Sequence, residues 1–295
     1  MPIRSVGCGD ANEASARLFL FALHSFQTHS CAVYFCNAWG LTKVNVMVAQ
    51  LELGLEKKSN GVFSSLRAIE SPSLTLPPSL PLNECIIMDG LELLEMLEDD
   101  AVPVAFFDPQ FRGVYDKMKY GNEATSRNHV RVKLPQMSEE VITKFTQEIG
   151  RVLIPSGHLF LWMDKFHLCT DFRNWIVGTS LSVVDMVTWD KGRMGLGYRT
   201  RHQTEFCIIL QKEPRRAKGV WTVRNIPDVW REKIKKTHPH NKPVQLQARL
   251  IEAVTAPQDL VIDPAAGSFS VLEACRVIGR NFLGCDIAVY DGAAK

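Results

Sequence analysis

The sequence predicts an α/β fold, a mostly parallel sheet covered by helices on both faces. Three observations carry this. Short, continuously apolar runs alternate with stretches of helical periodicity. Those runs lack the in-out alternation of a strand with one wet face, so both faces are buried. Several of them end in aspartate, and in parallel sheets the chemistry gathers at the carboxyl ends of the strands.

The pattern becomes regular at Glu84. Residues 85–88 (CIIM) read as a short strand, followed at 89–99 by a helix with Leu91, Leu93, Leu94 and Leu97 on one side. Residues 102–107 (VPVAFF) form a buried strand that ends at Asp108. A helix spans 138–153, with Ser138 as N-cap and Glu139 and Glu140 in its first turn. Pro155-Ser-Gly157 is a turn, and 158–163 (HLFLWM) is the next strand. A helix over 171–177 and strands over 183–189 and 205–211 follow. The chain closes with a helix at 244–254, a strand at 260–262 ending at Asp263, a helix at 271–278, and a strand at 281–285 ending at Asp286. Residues 1–83 are rich in Ser, Leu, Phe and Cys and end in a Pro/Ser/Leu stretch at 71–82 (SPSLTLPPSLPL). They are read as an N-terminal extension closed by a linker.

Composition narrows the class. No apolar run reaches the ~18–20 residues that span a bilayer. Asp10 and Glu13 stand where a secretory leader would be basic. A cytoplasmic protein with no membrane partner is expected. None of the eight cysteines forms a C-x-x-C pair, so they read as reduced thiols and no metal site is expected. From Lys191 to Lys242 there are fourteen Lys and Arg against four acidic residues, net +10. The whole chain is +2, so the rest carries −8. Such a block is the footprint of a polyanion-binding face, although a solvated lysine-rich surface would also produce it. Arginine here is as frequent as lysine, and Tyr198, Trp221 and Trp230 are interleaved, which favours the polyanion.

Four motifs carry chemistry. Asp263-Pro-Ala-Ala-Gly267-Ser-Phe-Ser270 lies between a strand and a helix, a cradle where backbone N–H groups approach a ligand. Asp286 follows nineteen residues after Gly267, where an acidic side chain would hold ribose hydroxyls. A tight strand-to-helix turn with no ligand fits the same spacing. Asp108-Pro109-Gln110-Phe111 offers a carboxylate, a rigid turn that aims carbonyls, and an aromatic face, parts suited to an amino group on a planar ring. A plain Asp-Pro turn is the other reading. His238-Pro-His-Asn-Lys242-Pro243 precedes a helix and is either its initiation signal or a loop closing over a cofactor. The stretch from Trp189 to Arg199 has three glycines among basic and aromatic residues, either a phosphate- or base-contacting loop or a surface hairpin.

Together and in this order, over residues 84–291, these segments resemble the N6-adenine/N4-cytosine DNA methyltransferases, in the β-class order that puts the catalytic half first. Asp108–Phe111 resembles the family's Asp-Pro-Pro-Tyr motif. Residues 263–270 resemble its Asp-Pro-Phe-x-Gly-Ser-Gly-Thr turn, with Phe269 in place of the second glycine. Phe269 could then crowd the methionine moiety or point into the sheet.

The resemblance implies a Rossmann-like S-adenosylmethionine-dependent fold. It divides the domain 84–295 into a catalytic half (84–212), a target-recognition segment (about 213–237) and a cofactor half (238–295). It assigns Asp108, Pro109, Gln110 and Phe111 to catalysis. Asp263, Ala265, Gly267, Ser268, Phe269 and Asp286 are expected at the cofactor, with Lys242, Pro243 and Asp89. Lys191, Arg193, Tyr198, Arg199, Arg201, Arg215, Arg216, Lys218, Lys235 and Lys236 are the candidate DNA contacts. Residues 121–133, with Arg127, Arg131 and Lys133, are a second candidate for target recognition.

The implied activity is methyl transfer to N6 of adenine in double-stranded DNA. Asp at the head of the motif favours adenine, since Ser leads it mostly in cytosine enzymes. A restriction endonuclease partner would be usual, with the chain a monomer or homodimer. Three other readings remain open: N4-cytosine methylation, RNA methylation, and a silent nucleic-acid-binding homologue in which Gln110 and Phe269 mark lost activity. An oxidoreductase is disfavoured, because G-x-G-x-x-G is absent.

Overall fold

The computed structural model describes residues 33–37, 40–44, 76–77, 79–110, 136–195, 199–234 and 241–288. The chain divides into two compact units, Met1–Ser59 and Asn60–Lys295. In the first, β1 (Val33–Asn37) and β2 (Gly40–Val44) pair antiparallel, with Val33 opposite Val44. The second unit begins earlier than the linker reading expects. Leu80 is buried in its core. Asn83 donates its N–H to the Phe282 carbonyl (2.8 Å), and its Oδ1 accepts from the Phe282 N–H (2.9 Å). Turn-forming composition marked Leu80 as linker and left Asn83 in the extension, but a leucine that can be buried and an asparagine that pairs a strand fix them to the domain.

Eight strands form the sheet of this unit, in the order β3-β10-β9-β4-β5-β7-β6-β8. They are β3 (Ile86–Ile87), β4 (Val102–Phe107), β5 (Leu153–Met163), β6 (Leu181–Asp190), β7 (Thr204–Lys212), β8 (Val229–Arg231), β9 (Leu260–Asp263) and β10 (Asn281–Asp286). From β3 across to β5 every pairing is parallel. β7 runs against both β5 and β6, and β8 is parallel to β6, so β7 alone is reversed.

Two apolar layers cover the sheet. One face packs on α1 (Gly90–Glu95) and α2 (Glu139–Val152), the other on α4 (Val244–Val254) and α5 (Ser270–Ile278). β4 serves both by strand alternation. Val104 and Phe106 face the second layer, where Phe106 lies 4.8 Å from Phe160. Ala105 and Phe107 face the first, where Phe107 stacks on Phe145 at 5.0 Å.

Helix ends follow their caps. Ser138 accepts from the Val141 N–H at the start of α2, as expected. Asp89 accepts from the Leu91 N–H (2.7 Å) and caps α1, which stops at Glu95, short of the expected 99. The Arg151 guanidinium takes the carbonyls of Leu94 and Leu97, so the chain leaves the helix without losing those acceptors. Residues 171–177 form a 3-10 turn at Phe172–Ile176, preceded by α3 (Lys165–Thr170), which the periodicity did not reveal. The Pro155-Ser-Gly157 turn lies inside β5, where Ser156 has φ 64° and the register against β4 shifts. The start of α4 has no local cap. Glu232, just past β8, instead accepts from the N–H groups of Gln245 and Leu246 (3.0 Å each) and from Trp230 Nε1 (2.8 Å). No described helix is long and apolar enough to cross a membrane.

Candidate active site

Asp89, Asp108, Asp263 and Asp286 meet at the carboxyl ends of β3, β4, β9 and β10, around one cavity of about 330 Å³. A pocket of this size, at this edge of such a sheet, suits a small ligand. The turn after β9 forms part of its wall. The Gly267 N–H donates to Asp286 Oδ2 (2.9 Å), so the two motifs joined by spacing are joined in space. Gly267 has φ 52°, a left-handed conformation that glycine adopts without cost.

Phe269 shares that conformation, with φ 55° and ψ 31°, at a cost of about 1–2 kcal/mol for a residue with a side chain. Its ring is buried edge-on to Phe282, at 6.3 Å between centroids. It points into the core and leaves the cavity clear, which decides between the two orientations considered for it. Ala265 and Ser268 line the cavity, and the Ala265 N–H donates to Asp263 Oδ1 (3.3 Å). Burial pushes the Asp263 carboxyl well above the ordinary range; the Ala265 N–H opposes this, and the neighbouring Asp108 and Asp286 add to it.

Asp108 stands at the end of β4, the strand beside β9, and lines the same cavity. Lys242, which the sequence placed with the cofactor, lines the same cavity, and its Nζ lies 2.7 Å from Asp108 Oδ2 and 3.1 Å from Glu205 Oε2. Its stem is buried, and the ammonium sits 5.3 Å from the centre of the Trp162 ring, within cation–π range. Burial alone would lower the Lys242 pKa; Asp108 and then Glu205 outweigh it and raise it above the usual lysine value. Pro243, beside it, is the N-cap position of α4 and makes no side-chain cap. Glu205 is bonded on its other oxygen by Lys191. Burial would raise Glu205; Lys242 and Lys191 overcome that and hold it at about 2.

Sequence reading missed Glu205, seen only as the first polar residue of a strand. It also missed Trp162 and Gln247, both buried in the cavity wall, whose Nε1 and Oε1 have no hydrogen-bond partner among the described residues. Gln110 lines the cavity, and its carbonyl, a candidate acceptor for a substrate amino group, already accepts from the Met137 N–H (2.8 Å). Phe111 lies outside the described residues.

Residues 136–290 match the N6/N4 methyltransferase family model, described as DNA methylase. The Type II methyltransferase M.HhaII of Haemophilus parahaemolyticus is 53% identical over 206 residues, covering 69% of this chain and 90% of that protein. The chain belongs to the N6/N4 DNA methylase family. Among solved structures, the cytosine-N4-specific PvuII DNA methyltransferase matches with a TM-score of 0.52 at 15% identity, over 70% of this chain and 82% of that one. A complex of M1.HpyAVI with SAM matches with a TM-score of 0.51 at 19% identity, over 72% and 97%. Both share the Rossmann-like fold.

In this methylase the reversed β7 splits the basic segment. Residues 191–203 connect β6 to β7 at the edge where Asp108 lies, because Asp190 pairs with Thr204. Arg193, Arg199 and Arg201 are exposed there. Lys165 Nζ donates to Thr200 Oγ1 (2.7 Å), and Asp190 accepts from the Gly192 N–H (2.8 Å) and Gln203 Nε2 (2.9 Å), which fixes the hairpin. Lys191 turns inward to Glu205.

Arg215, Arg216 and Lys218 follow the far end of β7, beside the amino end of β5, where the Ser156 hydroxyl donates to the Pro214 carbonyl. They sit at the opposite edge of the sheet from Asp108, apart from the loop residues with which the sequence grouped them. Net charge along a sequence does not register strand direction. Tyr198, Lys235, Lys236 and residues 121–133 lie outside the described residues.

Proposed function

We propose that this methylase transfers the methyl group of S-adenosylmethionine to N6 of adenine in duplex DNA, as the modification arm of a restriction–modification system. The observation that carries this reading is that Asp108, backed by Lys242, lines the same cavity as the turn at 263–270. The donor set fits the cofactor. Asp89, Asp263 and Asp286 line the cavity, and S-adenosylmethionine carries positive charge at its sulfonium and its ammonium. A cation beside Asp263 would favour the charged form that burial now disfavours. Asp286 and Asp89 would hold the nucleoside end, and Gly267 lets the backbone approach it.

Bound there, S-adenosylmethionine supplies an electrophilic methyl group. The protein's part is to receive a base turned out of the duplex. Asp108 and the Pro109 carbonyl accept from its amino group, aiming the nitrogen lone pair at the methyl carbon, and orientation supplies much of the rate. Asp rather than Ser at position 108 supports adenine.

The test is mass spectrometry of nucleosides from DNA of cells that express the chain, with single-molecule sequencing to locate the modified site. N6-methyladenine at a fixed sequence is expected. N4-methylcytosine would reassign the base, and an unmodified genome would count against DNA methylation.

Gly90 offers a second test. A methyl group on its Cα would lie 1.9 Å from the Pro264 carbonyl oxygen and 2.7 Å from the Phe145 ring. Gly90→Ala is expected to push α1 off the 263–267 turn and weaken S-adenosylmethionine binding by about 10-fold or more, read by calorimetry. Unchanged affinity would place the ligand away from this turn.

A further inference from the structure

We propose that Glu205 is a positioning residue for methyl transfer: it holds the Lys242 ammonium against Asp108 and ties both to the β6–β7 hairpin through Lys191. This rests on the reading of Asp108 as the acceptor of the substrate amino group. One carboxylate, at the start of the reversed strand, takes Lys242 on one oxygen at 3.1 Å and Lys191 on the other. Lys242 completes the chain at Asp108 Oδ2, 2.7 Å away. The two tryptophans behind it are part of the same construction. Trp162 lies under Lys242 (5.3 Å), Trp189 lies under Lys191 (5.1 Å), and the rings meet edge-on at 6.1 Å.

This is more than fold stabilisation. Lys242, its stem buried against the Trp162 ring, needs carboxylates to stay charged. Asp108 must keep one orientation while it accepts a hydrogen bond from the substrate amino group. A lysine anchored from behind by Glu205 supplies that orientation, whereas a free lysine would follow Asp108 through its rotamers. The reach extends further, because Lys191 opens the hairpin that presents Arg193, Arg199 and Arg201.

The groups that face Lys242 are Asp108 after β4, Glu205 and Cys207 on β7, and Asp263 at the end of β9. Lys191 and His202 act on it through Glu205. In the wild type, Asp108 and Glu205 keep Lys242 protonated through the accessible alkaline range. Without Glu205, burial favours the neutral amine and Asp108 alone opposes it.

The experiment compares wild type, Glu205→Gln and Glu205→Asp. It measures single-turnover methyl transfer from pH 6 to 10, S-adenosylmethionine affinity, and the titration of the Lys242 ammonium by nitrogen-15 NMR. For Glu205→Gln, the expected result is a rate loss of about 10- to 100-fold. Cofactor affinity should stay within about twofold, and a new fall in rate at alkaline pH should track a lowered Lys242 titration. Glu205→Asp should recover part of the rate and most of the titration. A Glu205→Gln enzyme with wild-type rate and profile overturns the proposal, as does a Lys242 titration that does not move. If the wild type itself transfers no methyl group to DNA, the assigned activity fails, while the lysine titration still decides whether Glu205 holds Lys242.

Discussion

Replacing Asp108 by alanine is expected to slow methyl transfer by on the order of 100- to 1000-fold, leaving S-adenosylmethionine affinity within about threefold. The asymmetry follows from the cavity. Asp108 follows β4 and is held by Lys242, whereas the groups expected to hold the nucleoside, Asp286, Gly267 and Asp89, belong to β10, the turn after β9 and the start of α1. Alanine removes the acceptor aimed at the substrate nitrogen and leaves Lys242 leaning on Glu205 alone. Asp108→Asn separates these two losses. The amide keeps the shape and one acceptor oxygen, but it no longer neutralises Lys242. A rate between wild type and Asp108→Ala is therefore expected. Single-turnover kinetics with saturating cofactor and DNA, together with calorimetric cofactor binding, give both numbers. An Asp108→Ala enzyme with a tenth or more of wild-type activity would remove this residue from the reaction.

Much of this arrangement is legible in the sequence, because parallel sheets put function where their strands stop. VPVAFF before Asp108 and LVI before Asp263 announce buried strands by continuous apolarity. The aspartates that end them fall at the carboxyl edge by topology alone. Helices with strong local signals, such as Ser138 before two glutamates, are found at the expected places. What the sequence hides is long-range. β8 is three residues, VWR, and has no periodicity to read. The cap of α4 comes from Glu232, outside the helix and beyond any local capping pattern. Lys242 stands beside Pro243 and looks like part of a cofactor loop, yet its partners are Asp108 and Glu205, remote in the chain. Phe269 replaces a glycine of the family turn, and only its left-handed backbone shows why glycine is usual there. The turn keeps its shape because the ring finds Phe282 in the core.

The reversal of β7 makes the sharpest prediction about DNA. Arg193, Arg199 and Arg201 project from the β6–β7 hairpin beside the catalytic edge, while Arg215, Arg216 and Lys218 follow the strand to the opposite edge. Two triple alanine variants, one for each group, remove the same formal charge of three. Long-range attraction is screened within about 8 Å at physiological salt, so only direct phosphate contact distinguishes them. If all three hairpin arginines touch phosphate, their loss should reduce the slope of log affinity against log salt by about 2.7. It should then also weaken binding roughly 100- to 1000-fold near 0.1 M salt, the counterion release of three contacts. The far-edge triple should leave both slope and affinity near wild type. The opposite result would place the DNA on the amino-terminal side of the sheet, and Asp108 could not then reach a base from that duplex. Equal losses would require DNA to contact both edges of the sheet at once. Salt titrations of the two variants therefore test the placement of the active site as directly as any substitution within it.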